Sequence, residues 1–221
     1  TPRRVVSAPV EQIAPPVEPR VMNDAAGEEI TSGLELQEAE DWSASIETLD
    51  LVIMDPANNA YERAVALQLR GRANYELDRI DDAIADWQAA IDTGAMLSNE
   101  VYNYRVNIAQ LLIVLGRFDE AIAAFDIVLA GESPATPQLT RMLAQTYGQA
   151  GRFDEGLPYA EATYQATPED RSNQSLMLFY FQQMGMDAEA SALEALIAAP
   201  AAPAATPRQK VSTPSSAPVA A

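Results

Sequence analysis

A helix–turn–helix unit recurs five times along this chain, and this recurrence limits the fold more than any other feature. In the clearest copy, apolar residues at helical spacing lead to Gly116, and a second such run follows Arg117-Phe118. Glycine adopts positive φ without strain, so Gly116 can end the first helix, and we expect Asp119 to cap the second. A hairpin of two helices buries its apolar face only against neighbouring copies.

The spacing of the copies is regular. A small residue stands in the first turn of each predicted second helix, namely Ser45, Ala83, Ala121, Gly156 and Ala190. Successive members of this set are 38, 38, 35 and 34 residues apart. A period near 34 residues, filled by two helices and a short turn, is typical of the tetratricopeptide repeat (TPR). The chain therefore resembles the TPR family.

Other positions carry the same resemblance. The family has a small residue midway along each first helix, and this chain has Gly33, Gly71, Ala109 and Ala144 there. Its turn glycine corresponds to Gly116, Gly151 and Gly185, whereas Asp78 replaces it in the second repeat. The clearest departure is Leu178, a large residue at the small position of the last repeat. Terminal repeats are commonly atypical because one of their faces meets solvent.

The resemblance implies an all-α fold, a right-handed superhelix of about five helix–turn–helix repeats. We assign residues 21–199 to this single domain. Residues 1–20 and 200–221 hold ten of the fifteen prolines and lack helical or strand periodicity. They are poor in the large apolar side chains that would offset the entropy lost on ordering, so we predict disordered Pro-rich and Ala/Pro-rich tails.

The charge of the chain limits the partners of the repeats. Residues 1–20 carry one net positive charge and residues 200–221 carry two, so the formal charge of −18 leaves −21 for residues 21–199. Such a surface repels nucleic acid and anionic lipid, and it favours basic proteins or peptides. No run of eighteen apolar residues occurs, so the sequence predicts no membrane span.

The residue inventory argues against catalysis. Histidine and cysteine are absent, and Lys210 in the C-terminal tail is the only lysine, which removes the usual general base, thiolate and amine nucleophiles. Acidic pairs stand at the start of three second helices: Asp81-Asp82, Asp119-Glu120 and Asp154-Glu155. Because they lie one repeat apart, we interpret them as helix caps and not as metal ligands. We therefore predict no enzymatic activity, no cofactor and no metal.

The resemblance also implies where a partner binds, since TPR superhelices expose the first helix of each repeat on their inner face. The corresponding side chains form what we call the inner stripe: Gln68, Arg72, Tyr75, Asn103, Asn107, Gln110, Arg141, Gln145 and Gln149. Within each helix these residues step by three or four, so they share one face. Amides both donate and accept hydrogen bonds, which suits the backbone of an extended peptide.

One known TPR function is not predicted. Chaperone-type TPR domains hold a C-terminal carboxylate with five polar or basic residues, and the corresponding positions here are Gln68, Arg72, Asn107, Gln138 and Met142. Only Asn107 matches that pattern. The sequence therefore does not predict a carboxylate-clamp co-chaperone.

These observations predict a non-catalytic adaptor or scaffold that binds a partner segment in the TPR groove. The alternative is a permanent structural subunit of a larger envelope or secretion assembly, held through its repeat ends and tails. The run from Tyr61 to Gly94 resembles bacterial envelope proteins that accompany TonB-type systems, which favours a periplasmic or envelope location over a cytoplasmic one. Thr1 in place of methionine fits removal of a leader and fits a trimmed chain equally well. The oligomeric state is left open.

Overall fold

A computed structural model of the chain describes residues 20–131 and 136–198. Within these ranges all regular structure is helical, and ten helices pair in chain order into five hairpins. The helices are α1 (Asp24–Glu38), α2 (Trp42–Met54), α3 (Ala60–Glu76), α4 (Ile80–Asp92), α5 (Ser98–Val114), α6 (Phe118–Leu129), α7 (Pro137–Gln149), α8 (Phe153–Ala166), α9 (Arg171–Gln183) and α10 (Asp187–Ala198). The all-α prediction of about five repeats is confirmed. The predicted tails, apart from Arg20, lie outside the described residues.

The turns inside the hairpins share one backbone conformation. Gly116, Gly151 and Gly185 have φ values of 71°, 72° and 68°, the left-handed region that glycine adopts without strain. Asp78 takes the same position in the second repeat with a φ of 57°. Aspartate tolerates this region better than most residues, so the second turn keeps its shape without glycine.

The predicted capping role of Asp119 is wrong. Helix α6 begins one residue earlier, at Phe118, and its N-cap is Arg117, whose side chain makes no capping hydrogen bond. The turn sets this boundary, because the backbone N–H of Arg117 donates to the Leu112 carbonyl at 2.8 Å and places Phe118 at the first helical position. Helices α4 and α8 begin in the same way, without a side-chain cap.

Two of the acidic residues in these first turns, Asp81 and Asp119, instead join neighbouring repeats. Arg117 pairs with Asp81 of the preceding repeat at 2.5 Å and with Glu120 of its own helix at 2.6 Å. Arg152 repeats the pattern one hairpin later, with Asp119 at 2.9 Å and Glu155 at 2.5 Å. We call these contacts the arginine ladder. Because these pairs are exposed, solvent and salt screen them, so the ladder sets register more than stability.

Small residues let the helices of the first four hairpins approach closely. A Cβ added to Gly71 would lie 2.4 Å from the indole nitrogen of Trp87, and one added to Gly33 would lie 2.9 Å from Leu49. Ala109 and Ala144 are fully buried at the equivalent positions of the third and fourth repeats. The predicted role of these four residues is confirmed.

Differences in first-helix length account for the uneven repeat spacing. Helices α3 and α5 have 17 residues each, whereas α7 and α9 have 13. The four-residue difference is one helical turn, and it matches the change from 38-residue to 34- or 35-residue spacing. The extra turn stands at the N-terminal end of α3 and α5.

One charged cluster replaces apolar packing in the second repeat. Asp86 on α4 is 4% exposed, and it accepts hydrogen bonds from Arg70 of α3 and, at 2.9 Å, from Asn74. Arg70 also reaches Asp50 of α2 at 2.5 Å. The pKa of Arg70 is raised above its ordinary value, chiefly by the hydrogen bond to Asp86. The cluster therefore ties three helices together.

The residues before α1 contact the next two repeats. The Arg20 guanidinium lies 4.7 Å from the ring centre of Tyr61 on α3 and 3.1 Å from Glu100 on α5. The Val21 carbonyl accepts a hydrogen bond from the Asn59 side chain at 2.9 Å. This short stretch therefore links the first three hairpins along the N-terminal ends of their first helices.

The buried residues form several clusters between successive hairpins, and no single centre dominates. One cluster includes Phe125, Leu139 and Leu143, and another includes Met177, Tyr180 and Leu193. In the described ranges no helix has the length and hydropathy that crossing a bilayer would require.

The fit of Tyr180 against Gly156 generates a first prediction. A Cβ on Gly156 would lie 2.0 Å from the Tyr180 hydroxyl and 2.5 Å from Cβ of Tyr147. We expect Gly156→Ala to lower the free energy of unfolding by about 2 kcal/mol, although Ala83 and Ala121 hold the equivalent positions. Chemical denaturation would measure the loss. Adding Tyr180→Phe should restore part of it, and a fully additive double variant would contradict this packing account.

The Arg70–Asp86 pair generates a second prediction. Arg70→Ile alone leaves the Asp86 carboxylate buried with its main partner removed, so we expect a loss of about 3 kcal/mol in the free energy of unfolding. The third repeat has Ile108 and Ala124 at the equivalent positions. The double variant Arg70→Ile/Asp86→Ala should therefore recover most of the loss in urea denaturation. A double variant weaker than the single one would contradict this account.

Candidate functional site

The inner stripe lies on α3, α5 and α7, the first helices of three successive hairpins. Arg72, Asn103, Asn107, Gln145 and four further members are exposed or half-buried, and Tyr75 is 44% exposed. Val114 continues the stripe on α5 and is 77% exposed. The stripe is therefore accessible to a partner along its whole length.

Contacts along the stripe differ between its two ends. On α3, the Arg72 guanidinium lies 5.9 Å from the ring centre of Trp42, and the Tyr75 ring centre lies 6.4 Å from that of Trp87. Trp87 in turn packs edge-on against Tyr104 of α5 at 5.7 Å. This end presents aromatic and cationic surface. Between α5 and α7, Gln110 approaches the Met142 sulfur at 3.8 Å.

The other end of the stripe opens into a cavity between α7, α8 and α9. Its volume is about 640 Å³, and we call it the α7–α9 cavity. Its walls include Arg141 and Gln145 of the inner stripe, together with the polar residues Gln138, Thr163, Asp170 and Asn173. The structure thus brings two predicted site residues to one cavity, while the other seven lie outside its lining.

Two buried polar side chains in this lining keep an oxygen without a partner. Thr163 is 5% exposed and Asn173 is 4% exposed. The Asn173 Nδ2 donates to the Thr163 carbonyl at 3.2 Å and to Thr167 Oγ1 at 2.6 Å, but its Oδ1 accepts no hydrogen bond. The Thr163 hydroxyl also has no partner. An unpartnered buried oxygen costs about 1–3 kcal/mol, so these two favour any ligand that reaches them.

The short first helices of the last two repeats explain the cavity. Helix α7 begins seven residues before Ala144, whereas α3 begins eleven residues before the equivalent Gly71. Helix α9 begins seven residues before the equivalent Leu178. The missing turn leaves the C-terminal end of α8, at Thr163 and Ala166, in the cavity wall.

Charges of both signs face the cavity. The Asp170 side chain caps α9, accepting from the backbone N–H of Ser172 at 2.8 Å and of Asn173 at 3.1 Å. These hydrogen bonds, with a contribution from the Arg141 charge, hold the pKa of Asp170 below its ordinary value. Asp170 therefore stays ionised opposite the Arg141 guanidinium, and the cavity has no net charge from this pair.

Sequence reasoning missed Thr163, Asp170 and Asn173 as site residues. They lie on the second helix of the fourth repeat and the start of the fifth, whereas the stripe was projected only from the first helices of the second to fourth repeats. The available signal was the drop in repeat spacing from 38 to 34 or 35 residues. A shorter repeat with a shorter first helix exposes the end of the preceding helix.

No group of three or more carboxylates in residues 20–131 or 136–198 is arranged to hold a metal ion. Glu120 at the start of α6 pairs with Arg117, and Glu155 at the start of α8 pairs with Arg152. The arrangement suits recognition through hydrogen bonds and side-chain packing.

Comparisons with known proteins agree with this architecture. A family model described as tetratricopeptide repeat matches residues 69–137 and again residues 106–171, which together run from the middle of α3 to the start of α9. No curated protein matches the chain in sequence.

Several solved structures share the fold. MamA of AMB-1 aligns with a TM-score of 0.58 and 15% identity, covering 80% of this chain and 94% of MamA. MamA from Desulfovibrio magneticus RS-1 aligns with a TM-score of 0.58 and 13% identity over 80% and 95% of the two chains. A tetratricopeptide repeat protein from Parabacteroides merdae gives 0.60 and 14%, over 79% and 66%. At these identities the likeness concerns the fold alone.

The Asp170 cap generates a third prediction, on pH. A carboxylate whose folded-state pKa is depressed stabilises the fold above its unfolded pKa near about 3.9, and this stability is lost as the pH falls through the folded value. We expect Asp170→Asn to flatten the fall of the melting temperature below about pH 4, measured by circular dichroism. In Arg141→Gln, which raises the pKa of Asp170, the fall should start at a higher pH. Acid profiles identical to the parent chain would contradict the role of Asp170.

Proposed function

We propose that this chain, which belongs to the tetratricopeptide-repeat family, is a non-catalytic adaptor that binds an extended segment of a partner protein along its inner stripe. The observation that supports this function is the accessible row of amide, arginine and tyrosine side chains on α3, α5 and α7. TPR domains in general are protein-interaction modules.

The chemistry of the stripe favours a peptide in extended conformation. Asn103, Asn107 and Gln110 project from one face of α5, and an amide can pair with both the N–H and the C=O of a passing backbone. Exposed Val114 and Tyr75 add apolar surface beside them. The charge of −21 over residues 21–199 attracts basic partners and raises their association rate at low salt.

A periplasmic or envelope complex is the setting that we propose for this adaptor. The support is the sequence resemblance of Tyr61–Gly94 to bacterial envelope proteins. Localisation of the full-length protein in cell fractions of the source organism would test the setting independently of binding.

The second candidate function is that of a permanent structural subunit. Two apolar side chains near the C-terminal end support it, since Phe179 is 38% exposed and Leu196 is 57% exposed. Two neighbouring residues on α9, Met177 and Tyr180, are buried and belong to the core. Such a subunit would bind its neighbours through the repeat ends or tails and would not need the stripe.

A substitution experiment separates these functions and forms the fourth prediction. The full chain would be screened on an array of 15-residue peptides, and the peptides retained would be titrated against Arg72→Ala/Asn107→Ala/Arg141→Ala. We expect affinity to fall about tenfold or more, because truncating contact residues at the centre of an interface costs more than about 1 kcal/mol each.

The matched control is Arg79→Ala/Asn99→Ala/Arg171→Ala, which removes the same residue types and the same charge at exposed positions outside the stripe. The control should bind like the parent chain. If both triple variants lose the same affinity, the loss comes from the removed charge and not from the stripe. Full binding by the stripe variant would favour the structural subunit.

A further inference from the structure

We infer that the α7–α9 cavity is a binding site for a primary carboxamide, the side-chain group of glutamine or asparagine, carried by the extended segment that the inner stripe binds. This inference rests on the proposed function, because it places one side chain of the bound segment. It adds a preference for residue type at one position, which the stripe alone does not give.

The location of the cavity connects it to the stripe. Arg141 and Gln145 belong to both, so a backbone lying along α5 and α7 passes the mouth of the cavity. The volume of about 640 Å³ accommodates an uncharged side chain of the size of glutamine together with part of its backbone. The apolar portions of Met142 and Ala166 in the lining suit its methylene groups.

The buried oxygens define the hydrogen-bonding need of the ligand. Asn173 Oδ1 requires an N–H donor, and the Thr163 hydroxyl can donate to a carbonyl. The two residues are neighbours in the cavity wall, since Asn173 Nδ2 donates to the main-chain carbonyl oxygen of Thr163 at 3.2 Å. A primary carboxamide carries both complementary groups on one carbon atom, an NH₂ donor and a carbonyl acceptor. It can therefore satisfy both oxygens at once.

Hydrogen-bonding capacity excludes the two closest alternatives. A carboxylate has no N–H to donate to the unpartnered Asn173 oxygen. An ammonium or guanidinium has no acceptor for the Thr163 hydroxyl. A thioether such as methionine leaves both oxygens unpaired. A neutral group with one donor and one acceptor is the remaining fit.

The full chain, labelled with ¹⁵N, would be titrated with three pentapeptides that differ only in a central Gln, Glu or Met between alanines. Acetyl and N-methylamide caps ensure that the glutamine side chain is the only primary carboxamide. Propionamide serves as a fourth probe, for a free amide. We expect the Gln peptide to shift the amide signals of Thr163 and Asn173 and to bind at least fivefold more tightly than the Glu and Met peptides. If propionamide binds as tightly as the Gln peptide, the claim that the carboxamide belongs to a bound peptide segment is wrong.

Thr163→Val is the decisive variant, because it keeps the shape of the side chain and removes a hydroxyl that bonds to nothing in the protein. We expect it to abolish the preference for the Gln peptide while the melting temperature stays unchanged or rises. The control is Thr48→Val on α2, whose hydroxyl donates to the Ala44 carbonyl at 3.0 Å and is remote from the cavity. It should keep the preference.

The outcomes separate this inference from the proposed function. If the three pentapeptides bind equally and shift only signals of the inner stripe, the carboxamide site is wrong and the proposed function stands. If none of them shifts any signal and the peptide array is also silent, both are wrong. A Thr163→Val chain that melts at a markedly lower temperature would overturn the inference. It would show that the hydroxyl is already satisfied by an ordered water and is not available for a ligand.

Discussion

The close approach of two helices at one small residue is the contact on which each hairpin depends. At Gly71 the indole of Trp87 occupies the space of a side chain, and at Gly33 the Leu49 side chain does so. The last repeats reverse the arrangement, with Gly156 on the second helix and Tyr180 filling the space from α9. Tyr180 donates to the Ala144 carbonyl at 2.6 Å, so the same contact that fixes the hairpin also fixes its neighbour. Burial raises the pKa of Tyr180 to about 12, which keeps this donor protonated across the physiological range.

Local pattern was enough to predict the repeats and the exposure of the inner stripe, because both follow from which residues share a helix face. The roles of the small residues and of the turn glycines could also be predicted, since each depends on packing or backbone conformation within one hairpin. Prediction from local pattern fails at Asp119. Its position in the first turn predicts a cap, but its carboxylate forms an ion pair with Arg152 of the following repeat. Asn173 and Thr163 were missed for the same reason, because the cavity forms only where three helices from two repeats meet.

Helix length divides the surface available to a partner. The 17-residue helices α3 and α5 give the stripe a long polar wall with aromatic support from Trp87 and Tyr104. The 13-residue helices α7 and α9 give it a recess instead. Under the function that we propose, a partner would meet a surface that holds backbone at one end and selects a side chain at the other. Such a division would fix the direction in which a segment binds, which a uniform stripe would not.

The arginine ladder has a consequence for how this chain can evolve. Repeats two to four each carry an arginine before the second helix, at Arg79, Arg117 and Arg152, and an aspartate two residues later. At the boundaries the pattern stops, with Ser43 in place of the acid and Met186 in place of the arginine. A copy of one of these repeats inserted between two of them would thus find a matching charge on both sides, and loss of the third repeat would bring Arg152 to Asp81. A copy added beyond either terminus would find no such match. The array can change its length from within while its first and last repeats stay in place.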